Sequence, residues 1–178
     1  MIICQNHLLN TSSNSLVNIS KKVALLGYYG VGKTSLTHRF VHRKFSENYA
    51  TTIGVNIEKK VVTVRDTELS MIIWDIAGET SQNKVPGAYR LGSHGVIYVF
   101  DLTRPDTYEH LEEDLFILQN QLPNVPILLV GNKKDQLTEN KQREIIDLLP
   151  LPPYALCSAK TGENVEALFV ELAKRMLK

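Results

Sequence analysis

Apolar and polar positions fall into blocks along this chain, and the period changes from block to block. Val23-Ala24-Leu25-Leu26 is a continuous apolar run ending at a glycine, which predicts a buried strand. Lys33 to Arg43 carries Leu36 and Phe40 at i and i+4, which predicts a helix. Phe45 to Ile53 has no clear period and reads as a loop. Val55 to Val64 and Leu69 to Trp74 predict two strands joined by the polar turn Arg65-Asp66-Thr67-Glu68, a hairpin. Asp75 to Gly92 is mixed, because Gly78, Pro86 and Gly87 interrupt any long helix. Gly95 to Phe100 is a second apolar run, ending at Asp101.

The second half repeats the alternation. Tyr108 to Leu122 has helical spacing, with Leu111, Leu115, Leu118 and Leu122 on one stripe. Pro126 to Val130 predicts another buried strand, followed by Gly131-Asn132-Lys133-Lys134-Asp135. Glu139 to Leu149 predicts a polar helix, stopped by Pro150, Pro152 and Pro153. Tyr154 to Cys157 reads as a short strand running into Ser158-Ala159-Lys160. From Glu163 onward the chain is amphipathic, with Val165, Leu168, Phe169, Leu172 and Met176 facing a core. Buried strands alternating with helices predict an α/β fold, with a mostly parallel sheet and helices on both faces.

Composition narrows the picture. At 178 residues the chain predicts one domain, 21–178, able to bury a sizeable core without staples. Residues 1–20 are rich in Asn and Ser, lack periodicity, and read as a flexible leader. A formal net charge of +1 gives no reason to expect nucleic acid or an anionic membrane as the main partner. Cys4 and Cys157 stand far apart in no metal-type spacing, which suits unpaired thiols in a reducing, cytoplasmic compartment. No apolar run approaches a membrane span, residue 2 is not glycine, and no cysteine motif stands at Leu177-Lys178. No intrinsic membrane anchor is therefore expected, and recruitment to a membrane would need a partner or Cys4.

The chemistry gathers where the strands end. Gly27-Tyr28-Tyr29-Gly30-Val31-Gly32-Lys33-Thr34 fits G-x-x-x-x-G-K-[ST], between a strand and a helix, with Ser35 following. Glycine-rich backbone turns its N–H groups onto a polyphosphate, and the helix start adds a positive dipole end. Lys33 would reach the terminal phosphates, and the Thr34 hydroxyl would bind the Mg²⁺ they carry. Asp75-Ile76-Ala77-Gly78 suits a carboxylate holding metal-bound water and a glycine N–H reaching a terminal phosphate. In Asn132-Lys133-Lys134-Asp135, the Asp135 carboxylate can accept both N–H donors of guanine, and the Lys133 stem can cover the base. Adenine would leave that carboxylate unpaired, a discrimination of roughly 10⁴. Ser158-Ala159-Lys160 offers the Ala159 N–H to the guanine carbonyl. In open α/β sheets, ligands bind at the carboxyl ends of strands, so these segments can converge.

Together these motifs, with Thr52-Ile53-Gly54 and Trp74-Asp75-Ile76-Ala77-Gly78, resemble a Ras-superfamily small GTPase of Rab-like type. The resemblance runs from about Lys21 to the C-terminus and covers the whole ordered set. It implies a P-loop NTPase fold, a small G domain with a six-stranded sheet, binding GTP or GDP with Mg²⁺. It also implies that Phe45 packs on the guanine and that Thr52 joins Thr34 and Asp75 around the metal in the GTP state. Lys33, Thr52, Gly78 and Glu79 would then be the catalytic set. Effectors and regulators would meet residues 45–58 and 76–92, whose order changes with the γ-phosphate.

The departures from that family carry information of their own. Glu79 replaces the usual glutamine that orients water, and Tyr29 replaces a small residue near the γ-phosphate. Ile57 and Gln82 stand where Rab proteins usually carry phenylalanine. A carboxylate about 5 Å from a phosphate charge costs roughly 3 kcal/mol at an effective dielectric near 20. Two functions follow: a slow GTP hydrolase acting as a regulatory switch, or a GTP-dependent partner-binding module with negligible hydrolysis.

Overall fold

The computed structural model describes residues 17–47, 51–78 and 87–178. Among them a six-stranded sheet runs in the order β2-β3-β1-β4-β5-β6, formed by Val17–Leu26 (β1), Val55–Val64 (β2), Thr67–Ile76 (β3), Gly95–Asp101 (β4), Ile127–Asn132 (β5) and Ala155–Leu156 (β6). Only β2 and β3 pair antiparallel; every other neighbouring pair is parallel. Helices Lys33–His42 (α1), Leu111–Gln121 (α2), Glu139–Leu148 (α3) and Val165–Met176 (α4) complete the described fold. This is the mostly parallel, six-stranded α/β small G domain that the sequence implies.

The alternation within each strand sends side chains to opposite faces and builds two cores. Val23 and Leu25 of β1 join Ile97 and Val99 of β4 under α1 and α4, where Leu36, Phe40, Phe169 and Leu172 are buried. Ala24 and Leu26 join Val96, Tyr98 and Phe100 on the other face, beneath the Leu111, Leu115 and Leu118 stripe of α2 and Ile145 of α3. Between α1 and α4, Phe40 and Phe169 stack at 4.0 Å, 3° from parallel. Because both faces are covered, β4 is buried at every position and reads as a solid apolar run.

The site's location follows from the strand order. β1 lies between β3 and β4, so chain connections leave it in both directions and open a crevice at its carboxyl end. The glycine-rich loop emerges there.

Several boundaries differ from those expected. β1 begins at Val17, not Val23, so residues 17–20 of the expected leader belong to the sheet. Val17 to Leu25 pair with Thr67 to Asp75 of β3, whereas β4 reaches β1 only from Val23 onward. The early part of β1 thus has one neighbour, with Asn18 and Ser20 exposed, and shows no buried-strand signature. Residues 1–16 of the leader lie outside the described residues. The hairpin turn is shorter than expected, since Val64 pairs with Thr67 and only Arg65-Asp66 lie between. Arg65 takes a positive φ of 53° to close it. β5 runs two residues further than expected, to Asn132, which carries that side chain to the site on a strand rather than a loop.

Candidate functional site

The loop after β1 wraps a cavity of about 430 Å³, and most of the residues singled out from sequence line it. Gly30, Gly32, Lys33, Thr34 and Ser35 form its floor. Phe45 and Thr52 come from the loop before β2, and Gly78 from the loop after β3. Asn132, Lys133, Asp135, Ala159 and Lys160 form the far wall. The carboxyl ends of β1, β3, β5 and β6 thus deliver one constellation.

At the phosphate-loop end, Gly32 has φ 95° and opens α1. A Cβ there would lie 2.3 Å from Asn132 Nδ2, so only glycine permits both the backbone turn and the close approach. Lys33 is buried and its Nζ donates to the carbonyls of Gly27 at 2.9 Å and Tyr28 at 3.0 Å. The Thr34 and Thr52 hydroxyls lie 2.9 Å apart. Asp75 stands beside Thr34, fully buried, and neither carboxylate oxygen has a well-formed hydrogen bond. Burial pushes its pKa up, opposed in part by the neighbouring Thr34 hydroxyl and the charges of Lys33 and His38.

At the other end, Asn132 ties the two walls together. Its Nδ2 donates to the Val31 carbonyl at 2.9 Å, and its Oδ1 accepts the Ala159 N–H at 3.1 Å. The Ala159 N–H, expected from sequence to serve a guanine carbonyl, here donates to Asn132, so a base carbonyl would share it. Val31 is buried and contributes this carbonyl rather than a lining side chain. Ser158 is buried behind the wall, where its hydroxyl donates to Asp135 Oδ1 at 2.6 Å and accepts the Thr161 N–H at 3.0 Å. That fixes Asp135 through Oδ1. Lys160 pairs with Glu47 at 2.9 Å across the rim.

Two features were not foreseen from sequence. Tyr29, half-exposed, sets its hydroxyl 2.9 Å from the Thr51 hydroxyl, spanning the phosphate loop and the loop before β2. Gly78 packs on the Tyr29 backbone so closely that a Cβ would lie 2.3 Å from its Cα. Arg39 of α1 donates its Nε to the Ala159 carbonyl at 2.8 Å and its Nη2 to the Lys160 carbonyl, bracing the far wall. An arginine on a helix gives no sequence signal for such a role. Glu79 and Gln82 lie outside the described residues.

A model of the Ras family matches residues 22–178. The chain is 34% identical over 177 residues to the Ras-related protein Rab-7b of Mus musculus, covering 92% of this chain and 86% of that one. It is 31% identical over 168 residues to the Ras-related protein SEC4 of Candida albicans, covering 91% and 80%. It is 34% identical over 169 residues to the GTP-binding protein YPTC5 of Chlamydomonas reinhardtii, covering 88% and 82%. The chain belongs to the Ras family, as a Rab-like small GTPase of the regulatory-switch class. Among the described residues no helix is long and apolar enough to cross a membrane.

Proposed function

We propose that the cavity binds GTP and GDP with Mg²⁺ and that GTP is hydrolysed slowly. The observation that carries this reading is Asp75. A fully buried carboxylate with no well-formed hydrogen bond is costly, and it stands beside the Thr34 hydroxyl, itself 2.9 Å from that of Thr52. Two hydroxyls and one carboxylate are hard oxygen donors, the chemistry that suits Mg²⁺ shared with phosphates. When bound, Mg²⁺ would neutralise phosphate charge between the two terminal groups. Lys33 would leave its carbonyl partners for the phosphate oxygens, and Gly30, Gly32 and Ser35 would present backbone N–H groups. Gly78 would offer its N–H to the terminal phosphate, and Thr52 would engage only while that phosphate is present. Asp135, with Lys133, Asn132 and Lys160 around it, would read guanine, and Phe45 would flank the base.

In this reading residues 45–58 and 76–92 meet effectors and regulators in a nucleotide-dependent way. Ile53 and Ile57 are exposed there. The protein would act in the cytoplasm, peripheral to a membrane through a partner. A second reading, a GTP-dependent binding module with negligible turnover, is favoured by Tyr29. Its backbone fills the space beside Gly78 and its side chain reaches Thr51. That would crowd an arginine supplied by an activating partner beside the γ-phosphate.

Equilibrium binding of fluorescent GTP, GDP and ATP, followed by single-turnover hydrolysis, tests both readings. Guanine-selective, Mg²⁺-dependent binding with a rate on the order of 10⁻⁴ s⁻¹ is expected. Equal affinity for ATP would overturn the base assignment, and no measurable turnover would select the second reading.

A further inference from the structure

Asp101 ends β4 with its carboxylate fully buried, and four donors converge on it. Oδ1 accepts the Thr103 N–H at 2.9 Å and the Thr103 hydroxyl at 2.7 Å. Oδ2 accepts Arg104 Nε at 3.2 Å and Lys133 Nζ at 2.7 Å. Burial alone would raise this carboxyl, but hydrogen bonds from Lys133 and Thr103 and the Lys133 charge outweigh it and hold the pKa below the usual range. One carboxylate thus holds two cations that serve different parts of the cavity. Lys133 belongs to the base-side wall. Arg104 turns its other end to the phosphate loop, where Nη2 donates to the Tyr29 carbonyl at 2.6 Å. The same nitrogen lies 3.8 Å from where a Cβ on Gly30 would stand.

We propose that Arg104, aimed by Asp101, is a positioning residue of the nucleotide site that locks the phosphate loop to the base-side loop. The proposal rests on the reading of the cavity as a guanine-nucleotide site. The physical argument is the fork of the guanidinium. Its separate N–H groups hold Asp101 and Tyr29 at once, and each bond is charge-assisted. A lysine ammonium gathers its donors on one nitrogen and lacks the separate Nε and Nη2 that reach the two partners here. The chain Lys133–Asp101–Arg104–Tyr29 therefore joins the two ends of the cavity through Asp101 and Arg104, which do not themselves line it. A ligand held at both ends leaves only when the walls part. Loosening one link should speed release and also blur recognition at the opposite end. Arg104 is the member to remove, because Asp101 keeps Lys133 and Thr103 and is not left unpaired.

The test loads the wild-type chain, Arg104→Ala and Arg104→Lys with fluorescent GDP or IDP and measures release into excess unlabelled GDP. IDP lacks the amine that Asp135 would accept from, so the ratio of IDP to GDP release reports base recognition. Arg104→Ala is expected to release GDP about tenfold faster, the effect of losing a charge-assisted hydrogen bond. Its IDP-to-GDP ratio should shrink at least twofold, although the residue is remote from the base. Arg104→Lys should behave like Arg104→Ala. Thermal melts by circular dichroism confirm that each variant is folded at the assay temperature; should Arg104→Ala not be, Arg104→Gln replaces it. Release within twofold of wild type overturns the proposal. So does faster release with an unchanged ratio, or full rescue by lysine, which would reduce Arg104 to a local brace or a bare charge. If the wild-type chain retains no guanine nucleotide, the underlying functional reading fails instead.

Discussion

Asp75→Asn should move stability in opposite directions with and without ligand. The side chain is fully buried and neither oxygen has a well-formed hydrogen bond, so in the ligand-free protein the Thr34 hydroxyl and the charges of Lys33 and His38 offset its burial only in part. An unsatisfied buried polar group costs about 1–3 kcal/mol, and more when charged. Asparagine keeps the shape and removes the charge, though its amide is also short of partners, so a net gain of about 1 kcal/mol is expected. For a domain of this size that is roughly 2–4 °C in Tm. With Mg²⁺ and GDP at a hundredfold excess over Kd, wild type should gain about 2.7 kcal/mol from ligand linkage, and the variant should lose most of that gain.

The pH dependence has a defined sign. Burial raises the folded pKa of Asp75, so the native state binds a proton more readily than the unfolded chain. The penalty is absent below the unfolded value near 3.9 and grows as pH rises through the folded pKa. The ligand-free advantage of the variant should therefore shrink towards acid. Thermal unfolding in chelator and in saturating Mg²⁺ and GDP, from neutral pH downwards, measures both effects. An Asn variant less stable than wild type in chelator, yet fully stabilised by Mg²⁺ and GDP, would refute the argument.

Asp135→Asn should weaken GTP and improve xanthosine triphosphate, whose carbonyl can accept from the new amide; competition binding reads the exchange, and an unchanged GTP preference would show that Asp135 does not read the base. Glu79→Gln should raise the single-turnover hydrolysis rate by removing charge repulsion with the γ-phosphate, whereas a marked loss in both Glu79→Gln and Glu79→Ala would show that the carboxylate is catalytic. Phe169→Ala removes a fully buried ring stacked on Phe40 and should cost about 3–5 kcal/mol, read as a drop in denaturation midpoint.

What was legible in the sequence was whatever depends on local pattern. Runs such as Gly95 to Asp101 and the leucine stripe of α2 announce their burial because one face, or both, must leave water whatever the partner. The glycine and lysine of the phosphate loop are equally local, since backbone torsion and helix dipole are set within a few residues. Tertiary structure decided the rest. Residues 17–20 become strand only because β3 is there to pair with them. The Ala159 N–H is engaged because β5 carries Asn132 to it. The Tyr29 hydroxyl finds Thr51 across 22 residues of chain, and Arg104 finds Tyr29 across 75. Asp101 looks from sequence like the polar end of a strand. It becomes a junction for two cations only when β4 and β5 lie side by side and bring Lys133 within 2.7 Å. Long-range partners leave no periodicity, because a single hydrogen bond fixes one pair of atoms and constrains no neighbouring residue type.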